Sequence, residues 1–462
     1  MSSLSDSSIL AGGSGVGESV YEINQSIRFN SPDEHLMYSP TPSGSKNFTT
    51  TATISMWIKL GEVSQHYLMG AFYGNNNRYN YVQINSSGQL QESHRQGGAS
   101  TSNGTGETLY KTSQLFRDPA AWYHLIFVYD STNEVQSDRF RLYVNGERVT
   151  DWSTSPNTKL DSGELFFWFG KSSPTTLGAY SSTTGYADYF YFDGYMAEIH
   201  GVDGSAYGPE YFGEFNSSNI WIPKEYTGSH GTDGFYIKGE NANALGTNSA
   251  ANGNNFTLNG ISSHDQVPDS PTNNFCTGLP TGVGNATGVA FSNGNLTGKT
   301  SGTAGNWVSS IPVDSGKWYF EVNNHADGSG NNYGIGQTPD GSYHHFALGS
   351  GGNQINDYDI IVNTGSSGSI VGYKLDFDAG TLTHTTNGTS YSSTGSLAAG
   401  MAYAAFARLG ASSGHVAFNF GQDSTFGGLE TAGGNSDSNG IGDFYYNVPS
   451  GFLAICTKNL GS

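Results

Sequence analysis

The sequence predicts an all-β protein, two tandem antiparallel β-sandwiches with very little helix. Three observations carry this. Glycine supplies 65 of 462 residues, and with Asn, Ser and Thr it provides the positive φ angles and local hydrogen bonds that turns between short strands need. Apolar residues fall in short alternating runs, the period of a strand with one buried face. No long run of Ala, Leu, Glu and Lys appears, as a helical protein would carry. The hydrophobic share is only 35%, but Tyr 28, Phe 26 and Trp 7 compensate, since each buried ring removes about 150–250 Å² from water. Modules of ~150–200 residues bury close to 70% of their unfolded surface, so these need no metal or disulfide to hold them.

Residues 1–24 are small and polar apart from Ile9-Leu10, too poor in apolar side chains to fold alone. They are read as an N-terminal anchoring segment. The first module, residues 25–205, opens with the strand SIRF at 26–29. In TTTATISMWIK (49–59), Ile54, Met56 and Ile58 share one face. WYHLIFVY (122–129) is dense enough for a central strand covered on both sides. FRLYV (140–144) runs through Asn145-Gly146 into Glu147-Arg148-Val149, a strong tight-hairpin signal. ELFFWFG (164–170) and YMAEIH (195–200) are the remaining expected strands. Residues 206–280 read as an extended connector, with scope for one strand added to the first sandwich and a short helix near 208–212. The second module, 281–428, contains strands at 317–322, 332–336, 370–377, 401–409 and 415–420. In the third of these Val371, Tyr373, Leu375 and Phe377 share a face, and Asp378-Ala379-Gly380 turns the chain back. The tail, 429–462, is apolar enough near Phe444 and Leu453 to dock as a last strand.

Several phrases carry family resemblances. MWIK at 56–59, WYHL at 122–125, LYVNG at 142–146 and FDGYMAEI at 192–199 resemble the laminin G-like, concanavalin A-like family, in that family's order. The resemblance implies a jelly-roll sandwich over 25–205 that binds glycans or proteins. Some members hold calcium, whose ligands this sequence does not place; no other cofactor is implied. GKWYFEV (316–322), YGIG (333–336), VGYKLDFDAGTL (371–382) and VAFNFGQ (416–422) resemble a SPRY domain, which implies a second sandwich that binds partners through loops and does not catalyse. SSILAGGSG (7–15), SIRFN (26–30), DSPTNNF (269–275) and PSGFLAICTKNL (449–460) make the whole arrangement similar to tailed-phage virion proteins of the tail-fibre or lectin-like structural kind. That implies a protein made in the host cytoplasm and placed on the phage particle surface. It also implies contact with other virion proteins through residues 1–24, host-surface glycans as ligands, and a homo-oligomer, with trimers common among such fibres.

Charge narrows the partners. Net charge is −20, and no basic run supplies the clustered Lys and Arg that phosphates require. Nucleic acid and anionic membrane surfaces are therefore not expected partners. No 18-residue apolar run is available to span a membrane, and the N-terminus lacks the basic start and apolar stretch of a secretory signal. Two cysteines, Cys276 and Cys456, are no disulfide framework; they read as two buried thiols or as one pair.

The catalytic patterns are missing. Retaining glycoside hydrolysis needs two carboxylates about 5–5.5 Å apart, and neither E-x-D-x-E nor E-x-D-x-x-E occurs. Asp376 and Asp378 are spaced i, i+2 but enter a turn, where they read as solvated carboxylates. No nucleophile elbow is present. His344-His345 would point to opposite faces of a strand and so would not chelate one ion. No catalytic residue is assigned. What remains is a surface for binding: rings to stack on a ligand and amides to hydrogen-bond it. The loop FYGNNNRYNY (72–81) concentrates both, and Tyr73, Asn75, Asn77, Tyr79 and Tyr81 are its candidate ligand-binding residues. A second Tyr-rich loop spans 180–191. The expected function is a non-enzymatic virion protein that displays its sandwiches to host glycans or neighbouring virion proteins. A capsid-decorating or tail-assembly protein without a receptor role is the alternative, and a polysaccharide-degrading enzyme the second.

Overall fold

The structure is a computed structural model that describes residues 21–461, apart from 31–33, 39–47, 63, 73–78, 96–106, 155–159, 170–173, 181–190, 252, 281–287, 328–330, 339–358, 363–366 and 412. Residues 1–20 of the expected anchoring segment lie outside the described residues, as do His344 and His345. The chain divides into two compact units, Met1–Gln266 with Ser270–Thr272, and Val267–Asp269 with Asn273–Ser462.

The first unit is a sandwich of two antiparallel sheets. Its strands are β1 (Ser26–Phe29), β2 (His35–Tyr38), β3 (Thr51–Leu60), β4 (His66–Phe72), β5 (Tyr79–Ile84), β6 (Gln89–Arg95), β7 (Glu107–Leu115), β8 (Trp122–Asp130), β9 (Phe140–Val144), β10 (Glu147–Arg148), β11 (Trp152–Thr154), β12 (Thr175–Leu177), β13 (Gly194–Asp203), β14 (Gly213–Phe215), β15 (Trp221–Pro223), β16 (Phe235–Ile237) and β17 (Thr257–Asn259). The first sheet runs β10-β9-β8-β3-β13-β1, with β16 also on β13, and the second runs β11-β7-β6-β5-β4-β12-β2-β17. Ile54, Met56 and Ile58 of the first sheet face the core, as their alternation predicts, with Leu125, Phe127 and Tyr129 of β8. Leu68, Met69, Val82, Ile84 and Leu90 close it from the second sheet. Each such side chain, fully buried, contributes roughly 1.5–3 kcal/mol.

The other face of β8 is buried too. Ile126 and Val128 pack with Val202, Phe212 and Tyr226 in a second cluster, which explains the density of WYHLIFVY. The cover comes from the segment after β13, which the sequence presents as an extended connector. Single apolar residues there, Phe212, Trp221 and Tyr226, land on the outer face of the first sheet, and β16 adds a strand to it. The short helix expected near 208–212 is one 3₁₀ turn at Pro209–Tyr211. The Asn145-Gly146 hairpin joins β9 to β10 with φ 47° and 80°, the left-handed pair that a type I′ turn requires. Gly146 has a second reason to lack a side chain, because a Cβ there would fall 2.3 Å from the Trp221 ring. The described residues of ELFFWFG, 164–169, do not form a strand. Phe166 makes one isolated bridge to Thr49, and Phe166, Phe167, Trp168 and Phe169 are all buried. Four consecutive buried rings leave no exposed face to alternate with, so packing overrides the strand propensity of the run.

The strand β18 (Gln266–Val267) lies at the division, and the second unit contains β19 (Val289–Ser292), β20 (Thr297–Thr300), β21 (Gly305–Val308), β22 (Lys317–Asp327), β23 (Asn332–Thr338), β24 (Asp359–Val362), β25 (Ser369–Asp376), β26 (Thr381–Thr385), β27 (Ser392–Ser396), β28 (Ala402–Leu409), β29 (Gly414–Asn419) and β30 (Leu453–Ala454). One sheet runs β19-β20-β29-β22-β25-β26-β27 with β30 on β22, and the other runs β21-β28-β23-β24. Val371, Tyr373 and Leu375 enter the core between them, with Phe377 partly buried against it. The tail docks as a last strand, β30, parallel to β22. A buried carboxylate clamps it. Glu321 accepts hydrogen bonds from the backbone N–H of Tyr445 and Tyr446 (2.8 Å each), from Asn419 (3.0 Å) and from the Tyr319 hydroxyl (3.1 Å). Burial pushes its carboxyl up to about 7, against the pull of those four donors. Cys276 and Cys456 are both buried free thiols.

Candidate functional site

Alternation along β5 sends Asn80, Val82 and Ile84 inward and Tyr79, Tyr81 and Gln83 outward. Register then sets their neighbours. Arg95, Ser93 and Gln91 of β6 lie opposite Tyr79, Tyr81 and Gln83, and Tyr67 of β4 lies opposite Gln83 on the other side. Tyr180, just past β12, joins the group. Ring centroids are 5.3 Å apart for Tyr67 and Tyr81, 4.5 Å for Tyr67 and Tyr180, and 5.5 Å for Tyr79 and Tyr81, the last pair stacked. Amides hold the edges: Gln91 Nε2 donates to the Tyr81 hydroxyl and Gln65 Nε2 to Gln83 Oε1, both at 2.9 Å. Burial, with the neighbouring Tyr81 and Tyr180, holds the Tyr67 hydroxyl well above the usual tyrosine range, so it stays a neutral donor. Tyr79, Tyr81 and Tyr180 stay partly exposed.

Of the five residues singled out in the sequence, the structure places Tyr79 and Tyr81 together on this face. Tyr73, Asn75 and Asn77 lie outside the described residues. Sequence reasoning missed Tyr67, Gln65, Gln83 and Gln91, because cross-strand register, which no local pattern shows, brings them in. Tyr180 was visible only as the start of another Tyr-rich loop.

The outer face of the first sheet gathers a different set of polar groups. Trp57 of β3 stacks on His124 of β8 at 4.4 Å and 5°. Trp221 Nε1–H donates to His124 Nδ1 at 2.9 Å. An indole N–H only donates, so that nitrogen is unprotonated. Burial, with His200 adding to it, keeps the imidazole neutral. The ring proton is then on Nε2, where it donates to Ser55 Oγ at 2.8 Å. A base that activates serine must accept at that nitrogen, so this Ser–His pair is wired as structure and not as a nucleophile.

Next to it, a bulge in β13 places Glu198 at φ 48°. Its carboxylate accepts from the Tyr236 hydroxyl (2.7 Å) and the Tyr21 hydroxyl (3.0 Å), and His200 Nε2 is 3.4 Å away. His200 Nδ1 meets His230 Nε2 at 3.0 Å. Burial pushes the Glu198 carboxyl upward, but His200 and the two hydroxyls outweigh it and hold it below the usual range. Tyr21, Trp57, Glu198, His200, Phe212 and Lys224 line a small recess at this point.

Two other groups can be placed. Lys317 Nζ lies 3.1 Å from Asp376 and 3.8 Å from Asp378, so both carboxylates pair with one lysine. Among the described residues no three His, Cys, Asp or Glu side chains converge to hold a metal ion.

Residues 37–201 match the laminin G-type family described as the concanavalin A-like lectin/glucanases superfamily. No curated protein matches the sequence. Solved structures similar to the chain include the SAP-like pentraxin of Limulus polyphemus, at 13% identity over 41% of this chain and 80% of that one, TM-score 0.27. The SPRY domain of human HERC1 is similar at 14% identity over 28% and 91%, TM-score 0.22. A sialidase CBM40 of Ruminococcus gnavus, bound to α2,3-sialyllactose, is similar at 14% identity over 40% and 92%, TM-score 0.28. The family match falls within the first unit, whose described residues form the two-sheet sandwich.

Proposed function

We propose that the first unit binds glycans without cleaving them, on the outer face of its second sheet. The observation that supports this reading is the cluster of Tyr67, Tyr79, Tyr81 and Tyr180 with Gln65, Gln83 and Gln91 at its edges. Ring faces take the apolar faces of sugar rings, and amides and phenols exchange hydrogen bonds with sugar hydroxyls. We infer, from the sequence resemblances, a non-enzymatic structural protein on a tailed-phage particle, anchored through residues 1–24, with the second unit a SPRY-like module that contacts neighbouring proteins.

The test is a polysaccharide panel read in two ways, by retention of the chain on immobilised glycan and by the size of the glycan afterwards. At least one polysaccharide should retain the chain and keep its length. Tyr81→Ala should weaken retention about tenfold or more, as the loss of a central aromatic anchor does. Shortened products, or retention indifferent to Tyr81→Ala, would reject the proposal.

A further inference from the structure

Residues 21–24 make contacts on the first unit that its sandwich does not require. They run extended into β1, with Ile23 buried at 4% exposure between exposed Glu22 and Asn24. The Thr272 hydroxyl accepts from Ile23 N (3.1 Å) and donates to Ile23 O (2.7 Å). Tyr21 is half-buried, and its hydroxyl meets Glu198 Oε2 at 3.0 Å and the Tyr236 hydroxyl at 3.1 Å. Glu198 reaches out of the sheet because it occupies a bulge at φ 48°, a left-handed backbone that costs a non-glycine residue and persists only where its surroundings hold it. The groups facing its carboxylate are Tyr21, Tyr236 and His200, with Lys224 lining the same recess.

Glu198 and Tyr236 belong to the outer side of the first sheet, whereas Tyr67, Tyr79 and Tyr81 belong to the outer side of the second. In a two-sheet sandwich these are opposite sides. We propose that residues 21–24 are a strap, keyed by Tyr21 on Glu198 and by Ile23 on Thr272, that fixes the outlet of the N-terminal segment on the side of the first unit opposite the tyrosine face. An assembly gripping residues 1–20 then meets the side without that face and leaves the tyrosine face free. Only this last consequence rests on the proposed function; the strap itself does not.

The experiment uses the full chain with tyrosine rings labelled for NMR and a nitroxide on Ser19→Cys. Cys276 and Cys456, both buried, stay unlabelled in the folded protein. The nitroxide should broaden Tyr236 and Tyr226 and leave Tyr79 and Tyr81 sharp. In Tyr21→Phe with Ile23→Ala, that selectivity should disappear, and amide hydrogen exchange at residues 22–25 should rise about tenfold or more, the effect of losing a hydrogen bond to a charged acceptor. Equal broadening of both sets in the parent chain, or unchanged exchange at 22–25 in the variant, would overturn the strap. No glycan enters either readout, so failure of the strap and failure of glycan binding are separate results.

Discussion

The two outer faces of the first unit begin from comparable material and end differently. On the first sheet, Ser55, Trp57, His124, Glu198 and His200 point outward, and Tyr21, Phe212, Trp221 and Tyr236 cover them until Glu198 is 7% exposed. Ser55, His124, Glu198 and His200 each have a polar partner there, down to the histidine tautomer set by Trp221. On the second sheet, Tyr79, Tyr81 and Tyr180 keep partial exposure, and the Tyr81 hydroxyl accepts from the neutral amide of Gln91 at the edge. A catalytic-looking collection of Ser, His and Glu is thus buried under the chain's own side chains, and the chemically plainer face is the one that stays partly exposed. Residue type alone does not separate the two. What separates them is whether the chain spends its own side chains covering the face.

The largest effect should follow from emptying the covered face. Glu198→Ala leaves the Tyr21 and Tyr236 hydroxyls and His200 without their buried acceptor, a loss of roughly 3–5 kcal/mol in unfolding free energy. Denaturant unfolding checks this, and glycan retention should not change. A small cost with lost retention would reverse the roles given to the two faces.

Next comes pH. Glu198 is held below the usual range, so its stabilisation is present above the ordinary carboxylate pKa and is lost as pH falls through its folded value. His230 is pushed down to about 4 by burial and then by His200, so its contribution is present above its ordinary value and lost as pH falls toward 4. The covered face therefore weakens in acid. In the second unit Glu321 does the opposite. Raised from 4.5 to about 7, it stabilises most below 4.5, and roughly 3 kcal/mol is lost as pH rises through 7. Thermal midpoints recorded from pH 4 to 9 should fall at both ends. Glu321→Gln should reduce the alkaline fall, to which the burial-raised carboxyls of Glu34, Glu164 and Asp193 also contribute, and leave the acid side unchanged; a flattened acid side instead would contradict the assignment. The smallest effect is Trp221→Phe, which keeps the ring but removes the donor to His124 and should cost about 1 kcal/mol, read by denaturant midpoint.

Much of this architecture was legible locally. Ile54, Met56 and Ile58 alternate, WYHLIFVY lacks a polar face, and Asn145-Gly146 names its own turn. ELFFWFG misled because its rings are all buried and fit no single period. The segment after β13 looked like a connector because its apolar residues come singly; each finds its place only against the sheet beneath. The candidate site was half legible. Tyr79 and Tyr81 stand out as tyrosines in an Asn-rich loop, but Tyr67 and Gln91 arrive through strand register. Tyr21, Glu198 and Tyr236 meet across separations of 177 and 38 residues, beyond any pattern in the chain.

The most direct measurement is tyrosine-selective NMR of the full chain titrated with whichever polysaccharide retains it best. The account predicts that ring signals of Tyr67, Tyr79, Tyr81 and Tyr180 shift and saturate together, while Tyr21 and Tyr236 stay in place. Shifts confined to Tyr21 and Tyr236, with the four-ring cluster unmoved, would contradict it.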